Sequence, residues 1–253
     1  MIVEAILKAA EAHGASRSES YPLRLSNAGT CARKIAYQLH RIPGEPLSAR
    51  SVLVFQLGDI TEAALREWAK KGSVEIGSPQ LEVSMSVNGT GITGHLDGTI
   101  LSEGAQHVID FKSISTRGMD RVKMDGPPYE ASCQVNAYME AADLKTWALL
   151  VYYDKNTSHL YECTVEYDPV IVKQIRSRFK RVIDSTVDSL PERAHELVME
   201  MVRRKPTGQW ILPWQCSYCA WKRPCWGVKE PEYGVGGRPV WVVDRSSESG
   251  GRI

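Results

Sequence analysis

The stretch that most constrains this chain is Gly94-His95-Leu96-Asp97-Gly98-Thr99-Ile100 with the Val108-Ile109-Asp110-Phe111-Lys112-Ser113 that follows it. Its composition predicts two adjacent strands, Gly91 to Leu101 and His107 to Ser113, turned at Ser102-Glu103-Gly104. Leu96 and Ile100 flank Asp97, and Val108, Ile109 and Phe111 surround Asp110, so both acids sit in strands of a buried type. A buried charge is costly unless it is paired or binds a metal. Asp110 and Lys112 are two apart and share a face on a strand, and Asp97 on the neighbouring strand can join them. That set suits a hard divalent cation held by oxygens, with an ammonium beside the water it activates. A cross-strand ion pair on a half-exposed sheet is the plainer alternative, because Asp-x-Lys alone is a weak signal.

The surrounding chain is that of a globular α/β protein. Its 253 residues suit one large domain, or a domain with an appended module. The net charge is +1, so any nucleic-acid partner has to be met by local patches rather than by bulk charge. No run is long and apolar enough for a transmembrane helix, and the N-terminus lacks the pattern of a signal peptide. A cytoplasmic protein without a membrane partner is expected.

Read in order, residues 2 to 13 suit an amphipathic helix, 14 to 26 a loop, and 29 to 40 a helix capped by Ser26 or Asn27 with Cys31 in its first turn. A strong helix is predicted from Ala49 to Lys71, with Val54, Leu57, Ile60, Ala64, Leu65 and Trp68 on its apolar face. It carries Gly58, which would let another backbone approach, and Glu62, which is otherwise a solvated glutamate. Gln80 to Val87 alternates as a strand, and Asn88-Gly89 signals a hairpin. Residues 115 to 125 suit a loop or short helix with Arg117, Arg121 and Lys123. Tyr129 to Leu144 suits a helix with Gln134 and Tyr138 on one face. Two strands follow, 147 to 153 and 159 to 166. Asp168-Pro169 then opens a helix running to about Leu190, whose cations between Lys173 and Arg181 offer themselves to a phosphate backbone. Glu192 to Arg204 is read as helical, and the tail from 228 as partly disordered.

Six cysteines punctuate the chain. Cys216, Cys219 and Cys225 fall within ten positions, a spacing that suits a thiolate metal centre, zinc or iron–sulfur. Cys31 is the best fourth ligand, and a group bound by all four would clamp the two ends of the chain together. Trp214, Tyr218, Trp221 and Trp226 would shield it. Cys133 and Cys163 suit core packing.

Gly58-Asp59-Ile60-Thr61-Glu62, Gly94-His95-Leu96-Asp97-Gly98, Ile109-Asp110-Phe111-Lys112 and Gln134-Val135-Asn136-Ala137-Tyr138 together resemble the successive motifs of PD-(D/E)XK nucleases of the RecB type. With the bracketing cysteines, the chain resembles that group's iron–sulfur branch. This branch includes the AddB nuclease domain, RecB-like exonucleases of CRISPR adaptation, and phage relatives. The resemblance spans about Cys31 to Trp226, and no proline precedes Asp97 as the family name would have it.

It implies a restriction-endonuclease-like α/β fold: a mixed central sheet flanked by helices, with a cluster module formed by both ends. The implied division is an N-terminal segment 1–48, a nuclease core 49–190, a cysteine module 191–227 and a tail 228–253. Asp97, Asp110 and the carbonyl of Phe111 would hold Mg2+ or Mn2+. Glu62 and His95 are further candidate ligands. Lys112 would act on the attacking water, and Gln134 and Tyr138 would hold the site and the DNA backbone. Cys31, Cys216, Cys219 and Cys225 would hold a 4Fe-4S cluster, with zinc as the other occupant.

The expected partner is DNA, single-stranded or with free ends, alongside recombination or CRISPR adaptation proteins in a bacterial, archaeal or phage-infected cell. The oligomeric state is open. A non-catalytic DNA-end-binding adaptor of the same fold and an electron carrier are the competing classes. The complete Asp97, Asp110 and Lys112 set argues against the first, and a lone cluster without a flavin motif against the second.

Overall fold

The structure, a computed structural model, describes residues 1–16, 23–233 and 239–243. The rest of the expected 14–26 loop and of the tail lies outside the described residues. Helices α1 (Ile2–Ser16), α2 (Ala32–Leu39) and α3 (Ala49–Lys71) open the chain. Cys31 is the N-cap of α2 rather than part of its first turn, and its side chain makes no capping bond. The expected cap at Ser26 or Asn27 fails because Leu25–Asn27 forms a separate 3-10 turn first. Helix α3 has the predicted bounds: Ser48 caps it by accepting from the backbone N–H of Ser51.

The hairpin of β1 (Glu82–Val87) and β2 (Thr90–His95) turns at Asn88-Gly89, whose φ values of 49° and 76° are those of a type I′ turn. β3 (Gly98–Ser102) and β4 (Ala105–Ile114) turn at Glu103-Gly104. The expected single strand from Gly91 to Leu101 is therefore broken at Leu96 and Asp97. Helices α4 (Thr116–Asp125) and α5 (Tyr129–Ala142) carry the chain across to β5 (Trp147–Asp154), which lies parallel to β4. A parallel pair needs such a crossover. β6 (Leu160–Glu166) returns antiparallel, completing a mixed sheet ordered β3-β4-β5-β6. This mixed sheet, flanked by helices, fits a restriction-endonuclease-like core.

Helix α6 (Pro169–Ile183) starts as predicted, with Asp168 accepting from the N–H of Val170, but ends short of Leu190. Its Ile175, Phe179 and Val182 join Val108, Leu150, Val135 and Met139 in the main core. Three of its cations are committed internally. Arg176 bonds Ser86 O and Glu140, Arg178 bonds Ala28 O and Tyr129, and Lys180 pairs with Asp184. The expectation that this row meets DNA is corrected for those residues.

The segment read as a helix, Glu192 to Arg204, instead contains β7 (Val198–Val202), paired with β8 (Lys205–Ile211). Short helices α7 (Trp214–Ser217) and α8 (Lys222–Trp226) follow, then the small strands β9 (Glu232–Tyr233) and β10 (Pro239–Val240). Leu212, Trp226, Val228 and Val243 make a second, smaller core. Part of the tail thus packs where disorder was expected. This module docks on the α2–α3 link through bonds that need no cysteine. Trp221 donates to Ile42 O and stacks on Tyr37, Glu45 N–H donates to Ala220 O, and the Glu45 carboxylate pairs with Lys222 and Arg223.

The apolar stripe of α3 departs from expectation. Only Ala49 and Val52 of this helix are buried, whereas Val54, Leu57, Ile60 and Trp68 face solvent. Their spacing makes an amphipathic helix, but no described element covers that face.

Candidate active site

Strand β4 carries the centre of the site. Its hydrogen bonds to β3 stop at Gly98↔Ile109, so from Asp110 onward that edge of β4 is free of a strand partner. Asp97, in the break before β3, fills the gap, and its Oδ2 accepts from Phe111 N–H at 2.9 Å. In an extended strand the N–H and C=O of one residue emerge on the same edge. The Phe111 carbonyl therefore lies on the edge that Asp97 occupies. Both glycines around Asp97 are required by packing. A Cβ at Gly94 would stand 2.8 Å from the Tyr138 ring, and one at Gly98 would collide with Ile76.

Asp110 is 0 % exposed. Its Oδ1 accepts from Gln134 Nε2 at 3.0 Å, and its Oδ2 lies 2.6 Å from Lys112 Nζ. That second contact is an ion pair without hydrogen-bond geometry, so Oδ2 has no hydrogen-bond partner. Lys112 Nζ donates instead to Gln134 Oε1 at 3.0 Å, and Gln134 Nε2 also reaches the Tyr138 hydroxyl at 3.3 Å. One amide thus fixes the acid, the ammonium and the phenol. Helix α5 makes this possible by presenting Gln134 and Tyr138 one turn apart on the face it turns to the sheet.

The electrostatics show carboxylates crowded together. Burial first, then the charge of Asp110 and next that of Glu62, push the Asp97 carboxyl up to about 7, against the pull of the Phe111 N–H and of Lys112. Burial likewise raises the Tyr138 phenol.

Glu62 is near enough for Asp97 to feel it, but its Oε1 is engaged by Arg66, one turn along α3, and by Gln80 at 3.4 Å. The Arg66 partnership was readable from the i,i+4 spacing; the Gln80 contact was not, because it joins segments far apart in sequence. A Cβ at Gly58 would meet, among the described residues, only Ser113 Oγ, at 3.7 Å, so no described backbone exploits its lack of a side chain. His95 does not join the carboxylates: its Nε2 lies 3.5 Å from Glu82, its cross-strand partner, on the exposed side of the hairpin. A buried hydroxyl that sequence reasoning missed is Tyr152. It lies in register with Lys112, feels the charge of Asp110 and has no hydrogen-bond partner.

Among the described residues, no three His, Cys, Asp or Glu side chains converge on one ion position. The donor chemistry at the carboxylates still fits a hard cation. Such an ion would satisfy the orphaned Asp110 Oδ2 and offset the repulsion between Asp97, Asp110 and Glu62.

All six cysteines are free thiols, and Cys133 is buried in the main core as expected. Cys31, Cys216, Cys219 and Cys225 are near enough to influence one another's thiols, although they do not converge on one ion position. Burial above all, aided by Cys225, Cys219 and Cys31, drives the Cys216 thiol up to about 11, although Trp226 opposes this. A soft set of four thiols fits zinc or an iron–sulfur cluster in donor type. The aromatic shield is corrected, since Trp214 and Tyr218 face solvent and only Trp226 is buried.

The sequence profile of the PD-(D/E)XK nuclease superfamily matches residues 8–226, and the chain belongs to that superfamily. The match is to the superfamily, not to a branch within it. By class the protein is a metal-dependent nuclease, of a group that uses divalent ions such as Mg2+ or Mn2+ and acts on DNA.

Among solved structures, that of SSO0001 is similar with a TM-score of 0.51 and 20 % identity, over 89 % of this chain and 96 % of that one. LHK-Exo in complex with dAMP gives 0.45 and 17 %, over 67 % and 89 %. The alkaline exonuclease LHK-Exo from Laribacter hongkongensis gives 0.45 and 15 %, over 70 % and 90 %. At such identities the likeness concerns the fold alone. No curated protein matches the chain in sequence. Among the described residues no helix is long and apolar enough to cross a membrane.

Proposed function

We propose that this protein is a deoxyribonuclease of exonuclease type, acting on single strands or DNA ends, with its catalytic floor at Asp97, Asp110 and Lys112. The observation that carries the reading is the chain of contacts from Asp110 through Gln134 to Lys112 and Tyr138, with Asp97 clamped across the strand edge. An Mg2+ or Mn2+ ion bound there supplies charge neutralisation at the phosphodiester and a bound water of lowered pKa.

Asp97, Asp110 and the Phe111 carbonyl would hold that ion, with Glu62 supporting them once its bond to Arg66 is shared or released. Lys112 Nζ, steered by Gln134 Oε1, would orient the attacking water and stabilise charge on the phosphorane-like state. Gln134 holds the ammonium and the Asp110 carboxylate apart from other partners. Tyr138 backs that amide. Cys31, Cys216, Cys219 and Cys225 would hold a structural 4Fe-4S cluster, with zinc as the alternative, and would join the chain's ends.

Linear and circular single-stranded DNA of one sequence, incubated with protein and Mn2+, test the exonuclease reading. Only the linear form should be degraded; equal attack on the circle would make the enzyme an endonuclease. Brown visible absorption of protein purified without oxygen, lost on chelation with release of iron, tests the cluster. Colourless protein releasing stoichiometric zinc would replace it.

A further inference from the structure

The β7–β8 hairpin carries a feature that the nuclease site does not use. Its two-residue turn is Arg203-Arg204, with φ values of 49° and 65°, and Lys205 follows at once. The left-handed region is unfavourable for a side-chain-bearing residue, and two-residue hairpins strongly favour Asn-Gly or Asp-Gly there. The same chain shows the usual solution twice, at Asn88-Gly89 and at Glu103-Gly104, where glycine takes the second place with φ of 76° and 80°. Among the described residues, only the β7–β8 tip sets two successive long cationic side chains in that conformation. Strain of this kind persists where it serves a function.

The charge at the tip is also left open. Arg203, Arg204 and Lys205 are exposed, and none of them forms an ion pair among the described residues. That contrasts with α6, whose Arg176, Arg178 and Lys180 are held by internal partners.

The base of the hairpin, by comparison, is braced. Ile211 bridges Val242, Leu212 N–H donates to Trp241 O, and Val243 N–H donates to Trp210 O. Of these residues, Leu212 and Val243 belong to the small core, against which Trp241, Cys216 and Cys225 pack. A two-stranded ribbon is marginal alone; this one has a fixed root and a cationic, solvent-facing tip.

We propose that the Arg203-Arg204-Lys205 tip is a second DNA contact, gripping the phosphodiester backbone of the substrate outside the carboxylate floor. The proposal rests on the nuclease reading for its partner. It makes the cysteine module the mount for a DNA-holding finger. The contact reads charge and not sequence, because three adjacent cations at a turn meet phosphates and present no fixed pattern to base edges.

The test uses the full chain in EDTA, so that binding is measured apart from cleavage. A triple variant, Arg203→Asn, Arg204→Gly and Lys205→Thr, installs the turn found at Asn88-Gly89-Thr90. A second variant, Arg203→Lys with Arg204→Lys, keeps the charge. Labelled duplex and single-stranded oligonucleotides are titrated across a range of salt.

The triple variant should melt at the same temperature or higher, yet bind at least about tenfold more weakly at low salt. Its log–log salt slope should be shallower by about 2 to 3 on duplex, and somewhat less on single strands. The lysine variant should keep the wild-type slope. Unchanged affinity and slope in the triple variant would overturn the proposal, as would a lower melting temperature, which would make the arginines structural. Wild-type protein that neither binds nor cuts either DNA would instead overturn the nuclease reading.

Discussion

The molecule has two regions built on opposite plans. The carboxylate floor sits on a large core, where β4, β5, α5 and α6 bury Val108, Leu150, Val135 and Phe179 and hold Asp110, Lys112, Gln134 and Tyr138 in fixed contact. The cysteine module has, among the described residues, a core of four buried apolar residues and leans on its ties to Glu45 and Ile42. The first region is organised by packing. The second is small for what burial alone can hold, and small cores usually need a cross-link or metal. The difference teaches that the protein separates chemistry from clamping. Damage to the first should stop catalysis, whereas damage to the second should loosen the molecule.

The largest separation is expected from Lys112→Ala. It removes the group proposed to orient the attacking water and should slow cleavage by about 10²- to 10⁴-fold, with rates read from single-turnover digestion of labelled DNA. A variant within threefold of wild type would remove Lys112 from the mechanism.

Phe179→Ala should cost about 3–5 kcal/mol through a cavity in the main core. Trp226→Ala should mainly release the C-terminal module. Hydrogen exchange distinguishes them: the first speeds exchange in β4 and β5, the second only beyond about residue 195. Equal loss of protection everywhere in both would show one cooperative unit and erase the comparison.

A subtler effect concerns Asp97. Its carboxyl is raised from the ordinary 3.8 to about 7, so between those values the folded state holds a proton that the unfolded state has lost. Stability of metal-free protein is then reduced as pH rises through that window, and the reduction is complete above about 7. Asp97→Asn lacks this penalty and should be more stable than wild type at pH 8, the gap closing as pH falls toward 4 in urea titrations. A pH-independent gap would contradict the crowding of charge.

The smallest effect is expected at Glu45→Gln, which weakens the pairing of a partly exposed carboxylate with the buried Lys222 and with Arg223 and should cost about 1–3 kcal/mol by thermal melting. The shortfall should shrink as pH falls, since these cations hold the Glu45 carboxyl below its ordinary range in the folded state. A loss of several kcal/mol would mean that the clamp dominates the module.

Much of the large region was legible in sequence because its signals are local. Ser48 and Asp168 cap their helices, Asn88-Gly89 turns its hairpin, and the order of acidic motifs survives in the fold. What stayed hidden depends on contacts distant in sequence. At the break, Leu96 bonds Gln80 and Leu81 while Gly98 fits against Ile76, and Gln134's two hydrogen bonds to Asp110 and Lys112 need α5 laid on β4. Residues 192–204 are rich in helix formers, yet Val198 to Val202 pair with β8, with a register shift between Met199 and Met201, and that pairing decides for a strand. The α3 stripe has helical spacing, but spacing cannot say what covers it.

The account stands most directly on Asp110. End-labelled linear DNA should be degraded by the wild-type protein with Mn2+ and left intact with EDTA. Asp110→Asn, which keeps an oxygen for Gln134, should fold alike by circular dichroism and cut at least about a thousandfold more slowly. A folded Asp110→Asn protein that cuts at the wild-type rate, or wild-type cutting that persists in EDTA, would contradict the assignment of this carboxylate as the metal-binding centre of a nuclease.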